Sequence, residues 1–130
     1  MNKIMVYVKT WEDVVDMLDI DINKFNKLCV NLTEGEIAER KLLLIIKVLN
    51  EDWIPKYNET LYTIYWNRNK DGSFSYYFYD HWHPYSNVGY GSGFKNGKLA
   101  KYCAEQFIDL WNIYLKYNTN NLLQLIQNAE

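Results

Sequence analysis

His81 and His83, two positions apart with Asp80 beside them, are the residues whose types most invite a metal ion. In an extended segment both imidazoles project to the same side. A zinc site, however, needs three protein ligands and groups to orient them. No second His or Cys pair exists elsewhere to complete one, and Pro84 turns the segment. The histidines therefore read as lining or capping a loop, and no metal or cofactor is expected. Nucleophiles are no better placed. Cys103 falls inside an apolar helical pattern, where a thiol is buried and inert. Ser73, Ser75, Ser86 and Ser92 occupy no strained strand-to-helix elbow. Asp80 with Glu105 or Asp109 is the only carboxylate pairing that suggests itself, and no local spacing supports it. The run "GYGSG" (Gly89–Gly93) lacks the Gly-Lys-Ser/Thr of a phosphate loop and misses the G-x-G-x-x-G spacing. A weaker anion candidate is the helix opening at Asn96 and Gly97, flanked by Lys95 and Lys98, because a helix N-terminus offers unpaired N–H groups. A plain helix cap is its alternative.

The aromatic residues remain. They make up 17% of the chain, twelve of them Tyr and five Trp, types that join a large apolar body to a polar handle. Strict alternation along "LYTIYW" sets Leu61, Thr63 and Tyr65 against Tyr62, Ile64 and Trp66. Along "FSYYFY" it sets Phe74, Tyr76 and Phe78 against Ser75, Tyr77 and Tyr79. Neither face of either strand is polar, so one sheet face holds more rings than a core needs. Tyr77, Tyr79, Trp82, Tyr62 and Trp66 are the candidate binding residues. Such a face is covered by the protein's own loops, by a partner, or by a flat ligand stacked on it.

The elements that must position these rings follow from periodicity. Lys3–Val8 is a short β-branched run that reads as a first strand. Thr10 with Asp13, and Thr33 with Glu36, are spaced as reciprocal helix caps. The helix after Thr33 is apolar almost all round from Leu42 to Ile46 and should be central, ending near Glu51 before Pro55. Phe25, Leu28 and Leu32 mark a short helix or ordered loop between the two caps. "LYTIYW" and "FSYYFY" form a hairpin whose turn, "NRNKDG", is longer than two residues. "VGYGSGF" reads as a third strand, its glycines marking a bulge or close backbone approach. After Asn96, Leu99, Cys103, Phe107, Leu110, Trp111, Tyr114 and Leu115 recur at helical spacing, which predicts one long amphipathic helix with Phe107 and Trp111 facing the sheet. "LLQLIQ" supplies a last short helix. The expected fold is a single α+β domain over residues 1–130: a small antiparallel sheet of three to four strands packed against helices.

Composition narrows the function. Charged residues balance at 14 basic to 16 acidic, and no segment forms the basic stripe that double-stranded DNA requires. The N-terminus lacks a signal-peptide pattern, and Leu42–Ile46 is too short to span a bilayer, so a cytoplasmic location is expected and no membrane partner.

"LNEDWIPKYN" (Leu49–Asn58) and "VGYGSGFKNGKLAKYCAEQFIDLW" (Val88–Trp111) resemble the Leu-Asn-Glu-x-Trp-x-Pro-x-x-Asn segment and the closing block of a family of small uncharacterised proteins of phages and prophages of gut Bacteroidetes. The resemblance implies a mobile-element origin, with a bacterial host cytoplasm as the setting, and carries no mechanism. Tyr90-Gly91 stands where that block has Ser-Arg, which removes any anion contact of the arginine. The expected function is thus a non-enzymatic accessory protein. It acts by self-association or by recognition of another phage or host protein through an aromatic sheet face. A nucleotide or single-strand binder, including a sponge for a small signalling nucleotide, is the alternative.

Overall fold

The computed structural model describes residues 3–56, 58–81, 93–117 and 119–129, the side chains of residues 119–122 excepted. The elements are α1 (Ile4–Tyr7), α2 (Trp11–Met17), α3 (Ile22–Leu28), α4 (Glu34–Leu49), β1 (Tyr62–Arg68), β2 (Phe74–His81), α5 (Gly97–Gln106), α6 (Ile108–Lys116) and α7 (Thr119–Asn128). The class is α+β. The hairpin lies on α5 and α6, α6 packs on α4, and α4 packs on α2. Ile45, Ile46 and Leu49 of α4 meet Phe94, Leu99, Cys103 and Trp111 in one buried cluster.

Both local caps form as their spacing requires. The Thr10 hydroxyl accepts from the Asp13 N–H while Asp13 accepts from the Thr10 N–H, and Thr33 with Glu36 does the same at α4. Helix α4 is the central one. It stops at Asn50, and the two following residues, Glu51 and Asp52, both take left-handed backbone angles (φ 53° and 62°). The hairpin turn spans more than two residues: the Asn69 N–H donates to the Ser73 carbonyl, and Gly72 adopts φ 87°. Glycine is required there, since L-residues meet a steric penalty at such angles.

Three expectations are corrected. First, Lys3–Val8 forms helix α1, not a strand. Ile4 and Val8 are both buried, a four-residue spacing that one helical turn satisfies. The Tyr102 hydroxyl, placed to meet the carbonyls of Val8 (2.6 Å) and Met5 (3.0 Å), holds the end of that turn. Second, the sheet has two strands among the described residues. The expected third strand is reduced to one antiparallel bridge, Tyr62 with Phe94, and residues 82–92 of that region lie outside the described residues. Third, the long C-terminal helix is two helices. Phe107 departs from helical geometry (φ −109°, ψ 31°). The Trp111 indole N–H donates to the Cys103 carbonyl at 3.1 Å, which also accepts the Phe107 N–H. A side chain inserted into the backbone ladder is a standard cause of a helix break. The break lets α5 follow the hairpin while α6 turns onto α4. Phe107 and Trp111 are buried as expected, with Trp111 5.2 Å from the Trp66 ring.

Candidate functional site

The hairpin does not alternate throughout. Tyr65 pairs with Phe78 but Trp66 pairs with Tyr76, so Tyr77 is an extra, unpaired residue in β2: a β-bulge. The bulge shifts the alternation expected for β2. Tyr79 pairs with Ile64, on the face that carries Tyr62 and Trp66 to the core, and Phe78 joins Tyr65 on the opposite face. Of the sequence-stated binding residues, Tyr62, Trp66 and Tyr79 therefore belong to the helix-facing side. Tyr77 is on the surface, and Trp82 lies outside the described residues, as does His83.

The helix-facing rings are committed to packing. Tyr79 lies against Gly97 so closely that a Cβ there would fall 2.1–2.5 Å from its ring atoms. Lys101 sits 6.0 Å above the Tyr76 ring, and burial pushes the Tyr76 hydroxyl pKa up, with Tyr79 and Glu105 adding to it. Tyr62 meets Tyr79 edge-on at 6.1 Å.

The outer face holds a different cluster, one that strict alternation hid. Tyr65 and Phe78 stack across the strands at 4.7 Å and 6°, and Tyr77 meets Phe78 edge-on at 4.7 Å and 87°. Exposure is 40% for Tyr65, 39% for Phe78 and 61% for Tyr77. The sequence reading chose Tyr62 and Trp66 as the binding face of β1 and so left Tyr65 out, whereas the structure packs those two against the core and turns Tyr65 outward. Phe78 was missed too, because no glycine or proline in Ser75–Tyr79 announces the bulge.

Two asparagines that no sequence motif singles out satisfy backbone groups beside the hairpin. The Asn112 amide donates to the Phe74 carbonyl (3.0 Å) while its oxygen accepts the Phe74 N–H (2.7 Å), imitating a neighbouring strand at the start of β2. On the other side the buried Asn50 amide donates to the Gly93 carbonyl (2.9 Å) and accepts the Lys95 N–H (3.0 Å). Each amide satisfies backbone groups that an open edge leaves unpaired.

The anion candidate is occupied by structure. Asn96 caps α5 through the Leu99 N–H, Gly97 is buried beneath Tyr79, and Lys95 is 3.1 Å from Glu51. Lys98 is exposed. His81 is 3.3 Å from Asp80, and among the described residues no three His, Cys, Asp or Glu side chains are grouped to hold a metal. Burial pushes the Cys103 thiol up to about 12, so it carries no thiolate at neutral pH. An open groove of about 490 Å³ runs between the start of α4 and α6–α7. Its charged lining is Glu34 and Lys116, and it contains no His or Cys. Among the described residues no helix is long and apolar enough to cross a membrane. Searches of known protein families, of curated proteins and of solved structures found nothing that matches this chain.

Proposed function

We propose that this chain is a non-enzymatic recognition protein whose working surface is the outer face of the β1–β2 hairpin, centred on Tyr65, Phe78 and Tyr77. The observation that carries this reading is the way the rings are used. Tyr65 and Phe78 spend one face of each ring on the other, and Tyr77 adds its contact at Phe78. What they offer solvent is an irregular aromatic surface, which suits an apolar protein patch, rather than the flat free ring on which a base stacks. The nucleotide alternative also wants cations beside the rings, and Lys95 is engaged with Glu51, Lys101 covers Tyr76, and Arg68 pairs with Phe74 on the face opposite the cluster. The Asn112 amide covers the start of the β2 edge at Phe74 and the Tyr62–Phe94 bridge covers the start of β1, which leaves the ring cluster on the face as the larger apolar surface of the hairpin. The resemblance stated above fits an accessory protein of a phage or prophage working in the host cytoplasm.

The test replaces Tyr77 with a photo-cross-linking phenylalanine derivative and irradiates the chain in host cells. Cross-links are expected from position 77, and Phe78→Ser should abolish them while circular dichroism stays unchanged. Absence of cross-links from position 77, with cross-links forming instead from an unrelated surface site such as Leu28, would overturn the reading.

A further inference from the structure

We infer that Asn96–Gly97 is a fold-gated modification site, which deamidates when the chain opens and is held unreactive while α5 is formed. It is the only Asn-Gly pair in the sequence. Glycine after asparagine leaves the next peptide nitrogen unshielded and the backbone free to take the angles that ring closure needs. In the reaction the Gly97 nitrogen, having given its proton to solvent, attacks Asn96 Cγ. A C–N bond forms, the Cγ–Nδ2 bond breaks, and ammonia leaves. Water then opens the five-membered imide at one carbonyl or the other, giving aspartate or isoaspartate.

The folded chain opposes each requirement. Ring closure needs the Gly97 nitrogen eclipsed with the Asn96 Cβ about the Cα–C bond, whereas ψ 163° holds the two staggered. The side chain is fixed as well, its oxygen accepting the Leu99 N–H at 2.9 Å. Gly97 is buried, with the Tyr79 ring too close to admit a Cβ. The flanking chain is tied down on both sides: the Lys95 N–H donates to Asn50, and Leu99 and Ala100 are wholly buried. Reaction therefore requires α5 to lose its first turn and Tyr79 to lift.

The two products differ in what they allow. Aspartate keeps a capping oxygen and adds negative charge at the positive end of the helix dipole. Isoaspartate routes the backbone through the former side chain, which inserts a methylene between Lys95 and Gly97 and destroys the cap. With the Lys95 N–H held by Asn50 and Gly97 held beneath Tyr79, the longer backbone does not fit. The isoaspartyl chain cannot rebuild this junction, so one passage through the open state leaves a permanent mark.

The experiment incubates the full chain at mildly alkaline pH, in buffer and in urea, and follows the mass of the digestion peptide that holds Asn96. Asp71–Gly72 forms the same kind of ring by losing water, with no net change in mass, so mass separates the two sites. A synthetic peptide of residues 93–100 calibrates the effect of urea on the chemistry. The cap alone reduces the open fraction about fivefold, and the cover of Tyr79 adds to it. The folded chain should therefore deamidate at least about tenfold more slowly than the unfolded one. Tyr79→Ala, with folding confirmed by circular dichroism, should speed the reaction in buffer. After dilution from urea, isoaspartate in the Asn96 peptide, detected by isoaspartyl-specific methyl transfer, should be depleted from the refolded fraction, whereas Asn96→Asp should refold as the parent does. A folded chain that deamidates as fast as the unfolded one overturns the inference. So does a Tyr79→Ala chain no faster than the parent, or refolded protein rich in isoaspartate at position 96.

Discussion

Gly97→Ala is the sharpest probe of how the hairpin is seated, because its effect should change sign with a single partner. Gly97 opens α5, and among the described glycines only Gly72 has a positive φ. Gly97 is therefore present for space and not for backbone freedom. An alanine Cβ would stand 2.1 Å from Cε2, 2.3 Å from Cζ and 2.5 Å from Cδ2 of Tyr79, so the ring must leave. Tyr79 is 40% exposed. The remaining part of a residue that buries about 150–250 Å² in full corresponds to roughly 90–150 Å². At about 25 cal/mol per Å² its loss costs roughly 2–4 kcal/mol, an upper figure because the unfolded chain already hides some area. Alanine recovers about 0.4–1 kcal/mol by narrowing the unfolded ensemble. The net expectation is a loss of about 1–3 kcal/mol.

In a Tyr79→Ala background the clash is gone, and the same Gly97→Ala change should stabilise by about 0.4–1 kcal/mol. Urea unfolding followed by Trp fluorescence, at constant denaturant slope, measures all four corners of this cycle. Equal costs in both backgrounds would refute the argument, since the penalty would then lie in the backbone. A stabilising Gly97→Ala in the parent chain would show that Tyr79 does not rest there at all.

Three further outcomes follow from the same geometry. Asn50→Ala strips partners from the Gly93 carbonyl and the Lys95 N–H together and should cost about 2–5 kcal/mol in urea unfolding, whereas Asn112→Ala, at a half-buried edge, should cost less. Cys103 has a folded-state pKa raised from 9.0 to about 12. Its contribution is complete below pH 9 and is lost as pH rises towards 12, because the unfolded thiol ionises first. Unfolding free energy should fall across that window, less steeply in Cys103→Ala. Deleting Tyr77 removes the unpaired residue while leaving every other β1–β2 pair in register. Thermal melting should show a folded chain within about 2 kcal/mol of the parent, a change smaller than a register slip produces.

What the sequence made legible was local. The Thr10–Asp13 and Thr33–Glu36 caps, the all-apolar middle of α4, the long hairpin turn and the burial of Cys103, Phe107 and Trp111 each depend on residues within a few positions of one another. What it hid depends on contacts made across the chain. The helical state of Ile4–Tyr7 is completed by Tyr102. The break at Phe107 accompanies an indole reaching back to Cys103. Gly97 looks like a helix opening until Tyr79 is seen lying on it. Asn50 and Asn112 act on backbone 38 to 45 residues away, and no spacing rule connects such pairs.

The bulge at Tyr77 links these failures to the functional reading. Had β2 alternated strictly, Tyr77 and Tyr79 would share a face, and Phe78 would join Phe74 and Tyr76. The extra residue sends Tyr79 inward onto Gly97 and Phe78 outward onto Tyr65, so the inner ring is fixed by packing and the outer pair is left to solvent. Bulges also bend a strand and weaken its edge as a template for pairing, and the Asn112 amide closes the start of the same edge. Two independent features thus oppose growth of the sheet sideways, while nothing polar larger than Asn67 interrupts the rings between Asp80 and the turn. On the reading proposed above, a hairpin that resists lateral pairing at β2 and presents stacked rings from its centre meets its partner through its face rather than its edge.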